Sequence, residues 1–146
     1  MLTMHRRCLY AVTFFVVAAG ITGCFWVGKQ NDPESLDYVN WVVPDVLSSS
    51  DGKLLTSQSS KELLEKFPPK KMNRMFKVIS DELGAMTKYD GAKGMTRFLS
   101  PSPSGITEIA QYDAKVEFTK GAATVHFGAW KRGGKWEITA FYVEPE

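Results

Sequence analysis

Two ionisable side chains in the C-terminal third of the chain could take part in acid–base chemistry. His126 is one of two histidines, and an imidazole changes its charge near neutral pH, so it can act as a general acid or base. Asp113 is the second candidate base. The sequence fixes no carboxylate beside His126, and a lone histidine is more often structural or exposed. We therefore expect no catalytic residue and treat catalysis by His126 or Asp113 as the alternative.

Other spacings that accompany catalysis or metal binding do not occur. Asp113, Lys115 and Glu117 alternate along one predicted strand, which is typical of a solvated face with cross-strand pairing. Asp81 and Glu82 are adjacent on a predicted helix, so their side chains diverge by about 100° and make a poor acid–base pair. The sequence has no nucleophile elbow, phosphate-binding glycine loop or zinc-protease motif. We expect neither a metal nor a cofactor.

Aromatic residues crowd the last two predicted strands, where Trp130, Trp136, Phe141 and Tyr142 fall on both faces. The simpler interpretation is a core on one side and helix packing on the other. Aromatic side chains are also favoured anchors in pockets and interfaces. The alternative is therefore a pocket or docking surface formed by His126, Trp130, Trp136 and Tyr142. Its occupant would be a protein partner or a small apolar ligand.

The N-terminal segment ends in a cysteine with a specific context. Two arginines precede an uncharged run from Leu9 to Gly23, and small residues close that run directly before Cys24, as in a cleavable leader. Residues 21–24 read Ile-Thr-Gly-Cys and resemble the bacterial lipobox. The resemblance implies diacylglycerol on the Cys24 sulfur, removal of residues 1–23, and a mature chain anchored in membrane lipid by its first residue.

Two other interpretations of the leader stay open. The stretch from Cys8 to Val27 has about 20 uncharged residues, enough for an uncleaved transmembrane helix. The Arg6-Arg7 pair also suggests a twin-arginine signal, although its surroundings match poorly. Lipobox and spanning helix both place the domain outside the cytoplasm, since the arginines stay inside. Lipoproteins kept at the inner membrane usually carry Asp after the cysteine. Phe25 therefore implies the periplasmic face of the outer membrane in a Gram-negative cell.

Removal of residues 1–23 would also change the net charge of the chain. The chain has 18 Lys and Arg against 16 Asp and Glu, and the leader contains Arg6 and Arg7 but no acidic residue. The mature chain would be close to neutral, so we expect no nucleic-acid partner. Cys8 would leave with the leader and Cys24 would be acylated. The mature domain would then contain neither a disulfide nor a free thiol.

The first half of the mature chain reads as helical. Residues 24–33 are predicted as a lipidated tether and residues 34–146 as a single domain. A weak helix over 34–47 would be capped by Asp32, begin at Pro33 and be limited by Pro44. A second helix would run near 60–67, with Ser59 and Glu62 as its capping box.

The strongest periodic signal follows Pro69. Six apolar residues recur at helical spacing and form one stripe: Met72, Met75, Phe76, Ile79, Leu83 and Met86. Gly84 is expected to mark the end of this helix or a kink in it.

The period then changes to two. Three strands near 112–118, 124–130 and 136–143 would form an antiparallel meander joined by glycine-containing hairpins. Residues 95–99 could add a fourth strand, and residues 89–94 are predicted to be a loop.

Three motifs suggest a fold family: the Glu-Leu-Gly helix ending at 82–84, the glycine-rich hairpin at 132–134, and the final strand from 134 to 138. They resemble the NTF2-like and cystatin-like domains of small bacterial lipoproteins. The resemblance implies an α+β fold with N-terminal helices packed on a curved antiparallel sheet of three to four strands. We expect a lipid-anchored envelope protein with a non-catalytic binding or scaffold role. The alternative is a pocket enzyme or small-ligand binder that uses His126 or Asp113.

Overall fold

In a computed structural model, the described residues are 27–49, 51–100 and 103–146. Their helices and strands are, in chain order, β1 (Val27–Gln30), α1 (Pro33–Ser48), α2 (Lys53–Gln58), α3 (Lys61–Lys66), α4 (Pro69–Leu83), β2 (Met86–Phe98), β3 (Ile106–Phe118), β4 (Gly121–Arg132) and β5 (Lys135–Pro145). The strands form one antiparallel sheet in the order β1-β2-β3-β4-β5. Helices α1 to α4 and strands β2 to β5 share one hydrophobic core, and β1 joins them by pairing with β2. The chain from residue 25 onward therefore contains the whole described fold.

The architecture is α+β in broad terms, but the predicted sheet of three to four strands is wrong, because it has five. Val27–Gln30, inside the predicted tether, pairs with residues 95–98 as the edge strand β1. The loop predicted for residues 89–94 belongs to β2. Its register shifts between Tyr89 and Ala92, and Gly91 adopts a φ of 83°. Gly91 therefore lies in a bulge within a continuous strand.

Helix α1 contacts β2 and α2 and is buried along one face. Asp32 caps it, its carboxylate accepting from the Ser35 backbone N–H, and Pro33 opens it, as predicted. The helix continues through Pro44 to Ser48, so the proline does not limit it. Four valines of α1 have no exposed surface: Val39, Val42, Val43 and Val46.

Polar contacts fix α1 against the sheet. The Ser35 hydroxyl lies 2.6 Å from Thr96 Oγ1 and 2.8 Å from the Tyr112 hydroxyl, and all three residues are buried. At Gly94 the neighbouring strand is so close that a Cβ would lie 2.0 Å from the Gln111 carbonyl oxygen. Only glycine fits there, so β2 and β3 are closely packed at this point.

The short helices α2 and α3 connect α1 to α4. Ser60, not the predicted Ser59, caps α3, since its Oγ accepts from the Leu63 N–H at 3.2 Å. Glu62 therefore makes no capping box and instead binds Arg132 at 2.8 Å. The Ser60 N–H donates to the Ile138 carbonyl at 2.8 Å, which covers the first part of the outer edge of β5.

Helix α4 matches the predicted stripe from Met72 to Leu83 and ends at Gly84, which has a φ of 79°. Met86, the last predicted member of the stripe, instead begins β2. A side chain at position 84 would meet Thr119 Oγ1 at 2.0 Å. Only part of the stripe is buried, namely Met72, Phe76 and Leu83. Beside it, Val78 is 52% exposed. The helix therefore presents an unfilled apolar side near β5.

Candidate functional site

The structure does not bring the four predicted surface residues together. His126 and Tyr142 are cross-strand partners on β4 and β5, and their rings stack with centroids 5.9 Å apart. Trp130 and Trp136 lie toward the other end of the same strands. Trp136 is buried and stacks on Tyr38 at 5.9 Å. The predicted surface therefore divides in two: His126 and Tyr142 stack on each other, and the two tryptophans lie apart from them.

Trp130 points to the face opposite Trp136, because its neighbour Lys131 is the residue paired with Trp136 and successive side chains alternate. The Trp130 indole donates to Glu137 at 2.9 Å, and the Arg132 guanidinium lies 4.8 Å from its ring centroid. These contacts hold the indole within the protein, which leaves it poorly placed as a free anchor.

His126 lies between two carboxylates on the exposed face of the sheet. Its Nδ1 is 2.7 Å from Asp113 Oδ1, and its Nε2 is 3.1 Å from Glu144 Oε2. Hydrogen bonds to Glu144 and then Asp113 raise the pKa of His126 above its ordinary value, since a protonated ring donates to both. Glu144 was not among the predicted site residues, although two-residue alternation places it on the same face as Tyr142.

This arrangement is a poor general base. Both ring nitrogens have a carboxylate partner, so neither is free to take a proton from a substrate. The side chain of His126 is 40% exposed, and no apolar enclosure strengthens its electrostatics. In the described part of the chain, no cluster of histidine, cysteine or acidic residues could hold a metal ion. The geometry fits a cross-strand salt-bridge network on a solvated face.

An apolar groove lies between α4 and the end of β5, and we call it the α4–β5 groove. It has a volume of about 450 Å³. Its walls are mostly aliphatic and aromatic, with three charged residues: Phe67, Lys71, Arg74, Met75, Val78, Ile79, Glu82, Leu83, Tyr142, Val143 and Pro145. Of the four predicted surface residues, Tyr142 alone lines it.

The groove is open to solvent. Phe67 is 40% exposed and Tyr142 is 59% exposed, so large apolar surfaces face solvent from both walls. Apart from the bond from Ser60 to Ile138, no described residue outside the sheet makes a backbone hydrogen bond to β5. Beyond Ile138, no described segment outside the sheet therefore pairs with this edge.

The charges of the groove are separated along α4. Lys71 and Arg74 lie near its start, and the Lys71 ammonium is 6.0 Å from the Phe67 ring centroid. Among the described ion pairs, neither cation has a carboxylate partner. Glu82 lies at the other end. The groove thus has a cationic end, an apolar wall and an acidic end.

Comparisons with known proteins give no relative: no family model, curated protein or solved structure matches the chain.

The predicted lipidation of Cys24, the cleavage after residue 23 and the twin-arginine signal lie outside the described residues. The alternative transmembrane helix from Cys8 to Val27 includes one described residue, Val27, which is the first residue of β1. Among the residues that the structure describes, no helix is both long and apolar enough to cross a membrane.

Proposed function

We propose that this protein is a lipid-anchored envelope protein whose domain is a non-catalytic binding module, and that its ligand occupies the α4–β5 groove. The lipobox resemblance at residues 21–24 supports the anchor, and the absence of Asp at position 25 supports the periplasmic face of the outer membrane. The doubly paired imidazole of His126 favours binding over catalysis.

The groove is the observation that carries the proposal. Sites for small ligands are concave and mostly apolar, with volumes of about 300–1,000 Å³ and a few placed polar groups. The groove, at about 450 Å³ with charges at its ends, fits this description. The depression of about 410 Å³ around Asp113 and His126 fits it less well, because these two groups are already paired with each other.

The anchor and the groove would lie at opposite ends of the sheet. Only residues 25 and 26 separate Cys24 from β1, whose first residue pairs with the last residue of β2. That end of the sheet also holds the start of β5, whereas the groove uses the end of β5. The nine residue steps from Trp136 to Pro145 correspond to about 30 Å of strand. A short anchor would hold the first end at the membrane and leave the groove open to the aqueous compartment.

A neutral apolar fluorophore, N-phenyl-1-naphthylamine, tests the binding role on the chain from residue 25. We expect saturable binding by the wild-type domain. Val78→Asp should weaken it about tenfold or more, because a charge would enter the apolar wall. His126→Gln is the control and should bind normally. Absence of saturable binding, or loss of binding in the His126 variant alone, would contradict the proposal.

The anchor needs its own test in the cell. Growth with labelled palmitate should mark the wild-type protein, and Cys24→Ser should abolish the label. A mature protein with an intact N-terminus and no acyl mass at that cysteine would refute the lipoprotein assignment without affecting the groove.

A further inference from the structure

We propose that the α4–β5 groove selects amphiphiles with one acyl chain and an anionic head group, of which a fatty-acid carboxylate is the simplest. This inference rests on the proposed binding function and specifies its ligand class. The separation of charge along α4 suggests it.

The head group would bind Lys71 and Arg74. Residues three apart on a helix are neighbours on its surface, and both residues line the groove. Neither is neutralised by a described carboxylate, so each can donate to an incoming anion. The arginine can bind a carboxylate or phosphate through two parallel hydrogen bonds. The chemistry shared by carboxylate and phosphate heads therefore suits this end.

Glu82 would fix the direction of the ligand. It lies eight residues after Arg74, which is about 12 Å along α4. A negative charge there disfavours an anionic head, so the head would bind at the start of α4 and the chain would extend toward Leu83 and Pro145.

The wall between these charges would hold the chain. Met75, Val78 and Ile79 line it from α4, and Val143 lines it from β5. These side chains are apolar, and only the Met75 thioether is a weak hydrogen-bond acceptor. A ligand with its polarity at one end therefore matches this wall, whereas an extended peptide would place the amides that do not pair with β5 against apolar side chains.

Displacement of the fluorophore by three ligands of equal chain length tests the inference on the chain from residue 25. The ligands are decanoate, decanol and decyltrimethylammonium, each below the concentration at which it aggregates. We expect decanoate to bind about tenfold more tightly than decanol, the size expected for hydrogen bonds to charged groups. Decyltrimethylammonium should bind most weakly. The advantage of decanoate should shrink as salt is raised.

Charge variants show whether the two cations are responsible. The double variant Lys71→Gln and Arg74→Gln should lose the preference for decanoate over decanol, with both ligands measured on the same variant. Lys70→Gln is the matched control, because Lys70 lies on the same helix outside the groove, and it should behave as wild type. Decyl phosphate then reports whether the site also accepts a phosphate head.

The outcomes separate the two proposals. Equal displacement by the three ligands, with fluorophore binding intact, would overturn the selection of anions and leave the binding function standing. A wild-type preference that persists in the double variant would also overturn it. Failure of the wild-type domain to bind the fluorophore at all would remove both proposals.

Discussion

Helices α1 and α4 pack on the same sheet with different completeness. The valines of α1 are fully buried, and the Ser35 hydroxyl ties the helix to β2 and β3. Helix α4 has the more regular apolar stripe in the sequence, yet Met75 and Ile79 of that stripe are only partly buried and Val78 beside it is half exposed. The strength of an apolar stripe therefore indicates a helix but does not tell how much of it the chain itself covers. The uncovered part is where we place the ligand.

The largest loss of stability is expected at Gly94 on the α1 side, where β2 and β3 approach each other closely. Gly94→Ala would place a methyl group 2.0 Å from the Gln111 carbonyl oxygen, so β2 and β3 would have to separate. We expect the free energy of unfolding to fall by at least about 3 kcal/mol, measured by urea denaturation. Gly28→Ala is the control, because its nearest contact is 3.8 Å. Similar stability of the two variants would show that the strands are not so close.

The same substitution on both helices compares them directly. Val43→Ala removes two buried methyl groups and should cost about 2 kcal/mol in unfolding free energy. Val78→Ala should change it by less than about 0.5 kcal/mol, because the side chain is half exposed. Urea denaturation of both variants measures the difference. Equal losses would mean that α4 is as fully packed as α1.

The smallest effect concerns the exposed face, away from both helices. The pKa of His126 is raised in the folded state, so its stabilisation is present below the unfolded value of about 6.5 and is lost as pH rises through the folded pKa. We expect less than about 1 kcal/mol, because these groups are solvent-exposed. Unfolding measured across this pH range should show the loss in wild type and not in His126→Gln. An unchanged pH dependence in that variant would contradict the network.

Local patterns were sufficient for much of the fold. The cap at Asp32, the stripe after Pro69, the helix end at Gly84 and the three C-terminal strands all depend on neighbouring residues, and all are present. Strand β1 was missed because its four residues show no alternation, and only pairing with the distant residues 95–98 defines it.

The groove could not be predicted from the same patterns. Its walls are Val78 and its neighbours on α4 and Val143 with Pro145 on β5, and their proximity depends on where α4 docks. The predicted surface relied on aromatic residues near one another in sequence. Trp136 instead became part of the core. The sequence did contain one indication of the groove, because Val78 is an apolar residue on the otherwise polar side of α4.

Methyl resonances of the chain from residue 25, followed while decanoate is added, test the binding site most directly. We expect saturable shifts at the groove methyls of Val78, Ile79, Leu83 and Val143, with the α1 valines unchanged. Shifts that cluster instead around His126 and Trp130, or no saturable shifts at all, would contradict the account.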